Sequence, residues 1–375
     1  MGGVTVIYGD DIYAMGKQLL IDTGVANKIG PQSRVVIKPN LVVSRTHWQG
    51  VNTDPNVVAA LIGTLRQFGI SRITVADGSG MGYSATRAFE ICGYLAMAQR
   101  YGVRLVDLER DRFVKTPVRL DGPFQTLDIA QTVLECDLLI NVPIMKAHTF
   151  TSITCALKNL KGVMPRALKT KFHGVDLSRA IAQLNSVVRP SLILVDGIQG
   201  DLSSETGHTP VRMERMLIGT NPVEVDSVVA DMLGYDPRAI PHIRYSAEGG
   251  LGICNLEKIL MQELNPPLQK RNFHPPVGYE QRFPCQISAA GACCTCVGNL
   301  MFALERLQEQ GLLSKDHHFF IGQSNKRPSA KKGVVVAIGK CAANDFDADI
   351  EISACPPSAG MIYGGVRAGL RKSAS

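Results

Sequence analysis

The chain has 375 residues, 45% of them hydrophobic and 19% charged, and carries a formal net charge of +7. This composition is typical of a globular protein, and the length allows two domains. No apolar run approaches the roughly 18 residues of a membrane span, and the first residues enter a strand pattern, so we expect neither a membrane span nor a secretory signal.

The ten cysteines, without a secretory signal, indicate a reducing cytoplasm in which thiols serve metals or redox chemistry. The positive charge favours a small anionic ligand or an acidic partner protein. It is spread widely and accompanied by one tryptophan only, which argues against nucleic acid as a partner. The oligomeric state stays open.

Short apolar runs alternate with helical patterns over residues 1–265. We expect strands at 4–8, 34–38, 73–76, 138–142, 191–195 and 216–219, and helices at 12–21, 55–68, 85–101, 152–164, 179–188 and 222–233. Alternation at this spacing requires parallel pairing with crossover helices. The fold class predicted for this first domain is therefore α/β, with an open, mostly parallel sheet flanked by helices.

A glycine-rich turn follows the strand at 73–76, with Asp77, Gly78 and Gly80 at its start. Two interpretations stay open for it, a loop that binds phosphate or carboxylate and a plain tight turn. Asp77 lies at the end of a strand, where open α/β sheets bind ligands. Asp196 is the second aspartate that we expect at a strand end, and Mg²⁺ between the two is a further possibility.

No acidic residue occurs between Asp137 and Asp176, although six lysines and arginines do. In a helix over 152–164, Thr154, Lys158 and Lys161 would stack on one face. One interpretation is a solvated basic face. The other is an anion pocket framed by four side chains, Lys146, His148, Lys158 and Lys161.

Histidine is the natural proton donor for such a pocket, because its unperturbed pKa lies near neutrality. His148 and His173 are therefore the candidate proton donors, and Lys146 is the third candidate catalytic residue.

A proline-rich segment at 266–284 predicts a linker, and residues 285–375 predict a second, smaller α/β domain. This domain holds six of the ten cysteines. Its helix is expected to begin at Cys296, and strands are expected at 319–322 and 334–338.

Four of these cysteines form one pair and two distant single thiols: Cys293, Cys296, Cys341 and Cys355. Four thiolates could bind a [4Fe-4S] cluster or a zinc ion, and the third alternative is four reduced thiols without a metal. We favour the cluster because Cys355 is followed by proline, as in the cysteine runs of ferredoxins. A structural zinc site more often pairs two Cys-x2-Cys units. Cys294 is interpreted as a bystander or a substitute ligand.

Four passages together resemble the bacterial and archaeal domain-of-unknown-function family numbered 362. They are Val36–Asn40, Asn141–His148, Leu157–Gly162 and Leu194–Gly197. The resemblance covers about residues 34–251 and implies cytoplasmic, mostly anaerobic iron–sulfur biology. Members often carry a two-cluster ferredoxin insert, which this sequence lacks, so we expect one cluster. The resemblance implies no established reaction.

The leading hypothesis is a redox-linked iron–sulfur protein that also binds a small anionic ligand or cofactor. The anion or cofactor site is expected to include Lys38, Asn40, Asp77, Gly78, Gly80, Asn141, Lys158, Asn159, Lys161 and Asp196. One alternative is a non-enzymatic electron-delivery or maturation subunit that docks on an acidic partner. The other is a lyase or hydratase whose cluster acts as a Lewis acid, so whether the protein is an enzyme stays open.

Overall fold

A computed structural model of the chain describes residues 3–27, 29–80, 83–148, 151–173, 175–203, 207, 209–267, 271, 273, 282–289, 291–292, 294–323, 333–343 and 348–373, with the backbone alone at 294–295 and 372–373. These residues form two compact units. The larger comprises Met1–Phe172 and Asp176–Pro275, and the smaller His173–Val175 and Pro276–Ser375. The predicted linker falls largely outside the described residues.

The larger unit is built around an eight-stranded sheet with two additional hairpins. Its strands are β1 Val4–Tyr8, β2 Val35–Pro39, β3 Ile73–Asp77, β4 Arg104–Asp107, β5 Phe113–Pro117, β6 Thr126–Ala130, β7 Leu138–Val142, β8 Lys146–His148, β9 Ser152–Thr154, β10 Leu192–Asp201, β11 Pro210–Gly219 and β12 Met261–Leu264. The sheet order is β12-β1-β11-β10-β7-β2-β3-β4. Only β11 runs antiparallel to its neighbours, so the predicted open, mostly parallel sheet is confirmed.

Helices cover both faces of this sheet. They are α1 Ile12–Asp22, α2 Pro55–Gln67, α3 Ala85–Ile91, α4 Tyr94–Tyr101, α5 Gln131–Leu134, α6 Ala156–Asn159, α7 Arg166–His173, α8 Leu177–Val187, α9 Pro222–Met232 and α10 Pro241–Glu248. Successive strand residues point to opposite faces. Val35 and Ile37 pack with α1 to α4, whereas Val36 packs on the side of α7 and α8.

Two predicted helices differ from the structure. The one expected over 85–101 is divided into α3 and α4, because Gly93 adopts a left-handed conformation with φ +81°. The one expected over 152–164 begins as a strand instead, since Ser152 has φ +60° and β9 pairs with β8. Only α6 and a 3₁₀ turn at Leu160–Val163 are helical there.

The predicted strand end at Asp196 is also wrong. Strand β10 continues through Asp196 to Asp201, because β11 pairs with it along this length, and the register shifts between Gly197 and Gln199. A bulge of this kind absorbs an irregular residue without ending the strand.

The smaller unit is a four-stranded parallel sheet with helices. Its elements are β13 Gln286–Ser288, α11 Cys294–Glu309, β14 His318–Ile321, β15 Val335–Ile338, α12 Gly339–Ala343, β16 Ile350–Ile352 and α13 Ala359–Ser373. The strand order is β13-β14-β15-β16, and every pair is parallel. The carboxyl ends of all four strands therefore lie at one edge of the sheet.

Candidate functional site

A buried ion pair joins the carboxyl ends of two neighbouring strands. Lys38 Nζ of β2 lies 2.7 Å from Asp77 Oδ1 of β3, and both side chains are almost fully buried. The other carboxylate oxygen of Asp77 accepts a hydrogen bond from the Leu41 amide at 2.8 Å. Burial lowers the pKa of Lys38, and the Asp77 carboxylate opposes this shift.

Three asparagines extend this ion pair into a network. Asn159 Oδ1 accepts hydrogen bonds from Lys38 Nζ at 3.2 Å and from Asn40 Nδ2 at 2.9 Å. Asn159 Nδ2 donates to Asn141 Oδ1 at 2.7 Å. The structure thus brings together five of the predicted site residues, Lys38, Asn40, Asp77, Asn141 and Asn159. That they bind an anion remains a prediction.

Two glycines allow this network to be packed closely. A Cβ at Gly162 would overlap the Asp77 carboxylate and approach Lys38 Nζ to 2.7 Å. A Cβ at Gly78 would lie 2.6 Å from the Gly162 carbonyl oxygen and 2.9 Å from Lys169 Nζ. Only glycine fits at these two positions without displacing a buried polar group.

The remaining contacts of the glycine turn favour the tight-turn interpretation. Gly78 donates its N–H to Asp77 Oδ1, and Gly80 donates its N–H to the Val42 carbonyl at 2.9 Å. Lys169 Nζ donates to the Ser79 carbonyl at 2.9 Å. The protein itself therefore provides the hydrogen-bond partners of these groups.

A carboxylate from elsewhere in the chain balances part of the positive charge of residues 138–175, which include no acidic residue. Glu109 lies 2.9 Å from Lys169 Nζ and 2.7 Å from Arg166 Nη2. The pKa of Lys169 is lowered by burial, and Glu109 opposes this shift. The sequence could not reveal this pairing, because 57 residues separate Glu109 from Arg166.

Asp196 lies apart from the ion pair. Its carboxylate accepts the amide hydrogens of Asp54 at 2.8 Å and Ile198 at 3.1 Å, and burial raises its pKa to about 7. Strands β7 and β2 separate β10 from β3. Because three strand spacings amount to about 14 Å, Asp77 and Asp196 do not share one Mg²⁺ ion.

The predicted basic pocket residues are mostly buried rather than solvated. Lys146 Nζ donates to the Val51 carbonyl at 2.7 Å, and His148 Nδ1 accepts the Thr151 amide at 3.3 Å. Lys158 is only 7% exposed. The solvated-face interpretation is therefore wrong for Lys158, and Thr154 does not share a helix face with it because Thr154 belongs to β9.

Two of the predicted residues, Lys161 and His173, are not among the contacts described above. Lys161 is half-buried in the 3₁₀ turn at Leu160–Val163. His173 is the last residue of α7, is nearly buried and groups with the smaller unit.

Sequence reasoning missed two buried residues next to α6. Asp226 of α9 accepts hydrogen bonds from the amides of Ala156 at 2.6 Å and Leu157 at 3.0 Å, and burial raises its pKa to about 7. His242 of α10 is fully buried. Asp226 could have been noticed as a carboxylate among the apolar residues of α9, whereas nothing in the local sequence marks His242.

Three of the four predicted cysteine ligands can be placed at one edge of the smaller sheet. Cys296 lies in the first turn of α11, Cys341 in α12 after β15, and Cys355 after β16. Cys296 is buried, whereas Cys341 and Cys355 are exposed. Cys293 and the side chain of Cys294 lie outside the described residues.

Two contacts join the segments that carry these cysteines. A Cβ placed on Gly339 would be 3.9 Å from both Cys296 Sγ and the Ala354 carbonyl oxygen. Asn299 Nδ2 of α11 donates to the Pro357 carbonyl at 2.8 Å. The start of α11, the start of α12 and the 354–357 segment therefore meet.

Two kinds of feature are absent from the described part of the chain. No three His, Cys, Asp or Glu side chains among those residues form a group that could hold a metal ion. None of the helices in that part is both long and apolar enough to span a membrane.

The fold and the buried network define a class of protein: a mostly parallel α/β unit with a Lys–Asp–Asn network at its strand ends, followed by a small parallel α/β unit rich in cysteine. The sequence profile of the family described as Domain of unknown function (DUF362) matches residues 35–231. This match spans more than half of the chain, so the protein belongs to this family, and the resemblance noted from its motifs is confirmed.

Two known proteins are similar to the chain. A thylakoid-associated protein of Synechocystis sp. is 28% identical over an alignment of 237 residues, which covers 61% of this chain and 71% of that protein. The lactate racemase apoprotein of Thermoanaerobacterium thermosaccharolyticum is 11% identical, with a TM-score of 0.39, over 89% of this chain and 70% of that one. With so low a TM-score, this second likeness supports no functional conclusion.

Proposed function

We propose that the protein is a redox-linked iron–sulfur protein of the cytoplasm that holds one [4Fe-4S] cluster through Cys293, Cys296, Cys341 and Cys355. The observation that supports this most is the meeting of the three cysteine-bearing segments around Gly339. When bound, such a cluster supplies one-electron transfer.

The protein's own groups suit this role in two ways. Cys296 lies in the first turn of α11, where the helix dipole stabilises a thiolate. Asn299 holds the Cys355–Pro357 segment against the same helix through its hydrogen bond to Pro357. The exposure of Cys341 and Cys355 favours a cluster close enough to the surface to exchange electrons with a partner.

The larger unit supplies the second part of the proposal, a pocket for a small anion near Lys146, His148 and Lys158. All three side chains are buried, and residues 138–175, to which they belong, include no acidic residue. Such a pocket suits a carboxylate or phosphate better than it suits docking on an acidic protein surface, which requires exposed charges.

Replacing the four cysteines one at a time by serine tests the cluster. Each replacement should abolish the brown colour and the EPR signal after reduction by dithionite, because each removes one thiolate ligand. Cys285→Ser is the matched control, since Cys285 directly precedes β13 and so lies at the amino end of the parallel strands, opposite the edge that carries the other thiols. A replacement that leaves cluster and activity in place would favour three ligands, as a Lewis-acid lyase requires.

A further inference from the structure

Several buried polar atoms around α6 lack a hydrogen-bond partner within the described structure. They are Nδ1 and Nε2 of His242, Oγ1 of Thr154 and Oδ1 of Asn185. An unpaired buried polar atom costs about 1–3 kcal/mol, and natural proteins contain few of them. Four such atoms in one region indicate a space that water or a ligand fills.

The three residues surround α6 from different elements. Thr154 ends β9, two residues before α6 begins. Asn185 of α8 donates Nδ2 to the Leu157 carbonyl at 2.9 Å, which places its side chain against α6. Ile243, next to His242, packs in the same core as Leu157. Each of the three residues is therefore next to α6 or to the core around it.

The charge in this region favours an anion over a cation. Burial is the main cause that lowers the pKa of His242 to about 3, and the positive charges of Lys158 and His148 contribute to the same shift. His242 is therefore neutral, with one N–H donor and one acceptor nitrogen. Lys158 is a buried lysine in the same surroundings, so a small oxyanion would meet both a cation and a hydrogen-bond donor.

We propose that His242, Thr154 and Asn185 form the inner wall of the basic pocket, and that His242 directly contacts the small oxyanion bound there. This inference rests on the anion pocket of the proposed function and adds a contact residue to it. A carboxylate and a phosphate share the required chemistry, so both are used as probes.

The test is a titration of the full-length protein, labelled with ¹⁵N-histidine, with sodium acetate and with inorganic phosphate. The ring nitrogens of His242 should shift in a saturable manner with at least one probe. Assignment follows from the signal lost in His242→Phe. In this variant the affinity should fall at least about tenfold, because one charge-assisted hydrogen bond is lost.

His242→Phe is expected to fold, because it replaces two unpaired polar atoms by an apolar ring. Its melting temperature should equal or exceed that of the wild type, and His242→Gln provides a second variant that keeps a donor and an acceptor. His317→Gln in the smaller unit is the control and should bind both probes as the wild type does.

Two outcomes would overturn the inference, and they differ in what they say about the pocket. If a probe binds, Lys158→Met weakens it and His242→Phe does not, the pocket stands but His242 is no part of it. If neither probe shifts any histidine signal, in the wild type or in Lys158→Met, the anion pocket of the proposed function fails as well.

Discussion

Gly162 shows how a single residue without a side chain supports the buried network. Its backbone lies against the Lys38–Asp77 ion pair, where a Cβ has no room. The pair itself is fully buried, and a buried ion pair that loses one partner or its geometry is strongly destabilising. The motif Leu157–Gly162 therefore supplies a hydrogen-bonding side chain, Asn159, and a glycine whose backbone can lie close to the ion pair.

Gly162→Ala should lower the free energy of unfolding by about 1–3 kcal/mol, because the added methyl group overpacks a site that cannot relax. Gly63→Ala is the control: Gly63 lies in α2 with no atom within 4 Å of an added Cβ. This control should stabilise the protein by about 0.5–1 kcal/mol, since alanine favours a helix over glycine. Urea unfolding measures both, and equal effects would contradict the role of Gly162.

The sequence predicted many of the network residues but not their arrangement. Lys38, Asn40, Asn141 and Asn159 all lie in the motifs that resemble one family, and the structure brings them together with Asp77. His242 was out of reach, because a buried histidine leaves no mark in a local pattern and α10 is far from α6 along the chain.

At the scale of the element, α6 depends on a residue from another helix. Asp226 of α9 accepts the first two amide hydrogens of α6, which lacks a capping side chain of its own. This long-range contact explains why the predicted helix over 152–164 begins four residues late. Where the signal was local, the prediction succeeded: α2 begins at Pro55 as expected, with Asp54 as its cap, and β7 has the predicted bounds.

The raised pKa of Asp226 predicts a pH dependence. Its carboxyl retains a proton up to a pH of about 7 in the folded protein, against an ordinary value of 3.8. The folded state therefore binds more protons between these values, and this group lowers the free energy of unfolding as the pH rises, by up to about 1.4 kcal/mol per pH unit.

Comparison with Asp226→Asn isolates this contribution. Asparagine has one acceptor oxygen for the two amides of α6, so the variant should be less stable than the wild type near pH 4. Because asparagine does not titrate, its stability relative to the wild type should increase towards pH 7. Asp231→Asn, on the exposed side of α9, is the control and should show a constant difference. Thermal unfolding over this range checks the prediction, and a pH-independent difference for Asp226→Asn would contradict it.

At the scale of the whole molecule, the two units carry different chemistry. The larger one buries lysines and histidines beside a mostly parallel sheet. The smaller one presents cysteines at the carboxyl edge of a parallel sheet. The sequence predicted an α/β domain here, because helices and strands alternate, but only the structure shows that Cys296, Gly339 and Ala354 are neighbours.

The metal content of protein purified without oxygen tests the central claim most directly. Iron, acid-labile sulfide and zinc should be quantified in the same preparation. We expect about four iron and about four sulfide per chain, together with a brown colour, as a [4Fe-4S] cluster on four thiolates requires. A colourless protein that carries zinc, or no metal at all, would contradict the iron–sulfur account.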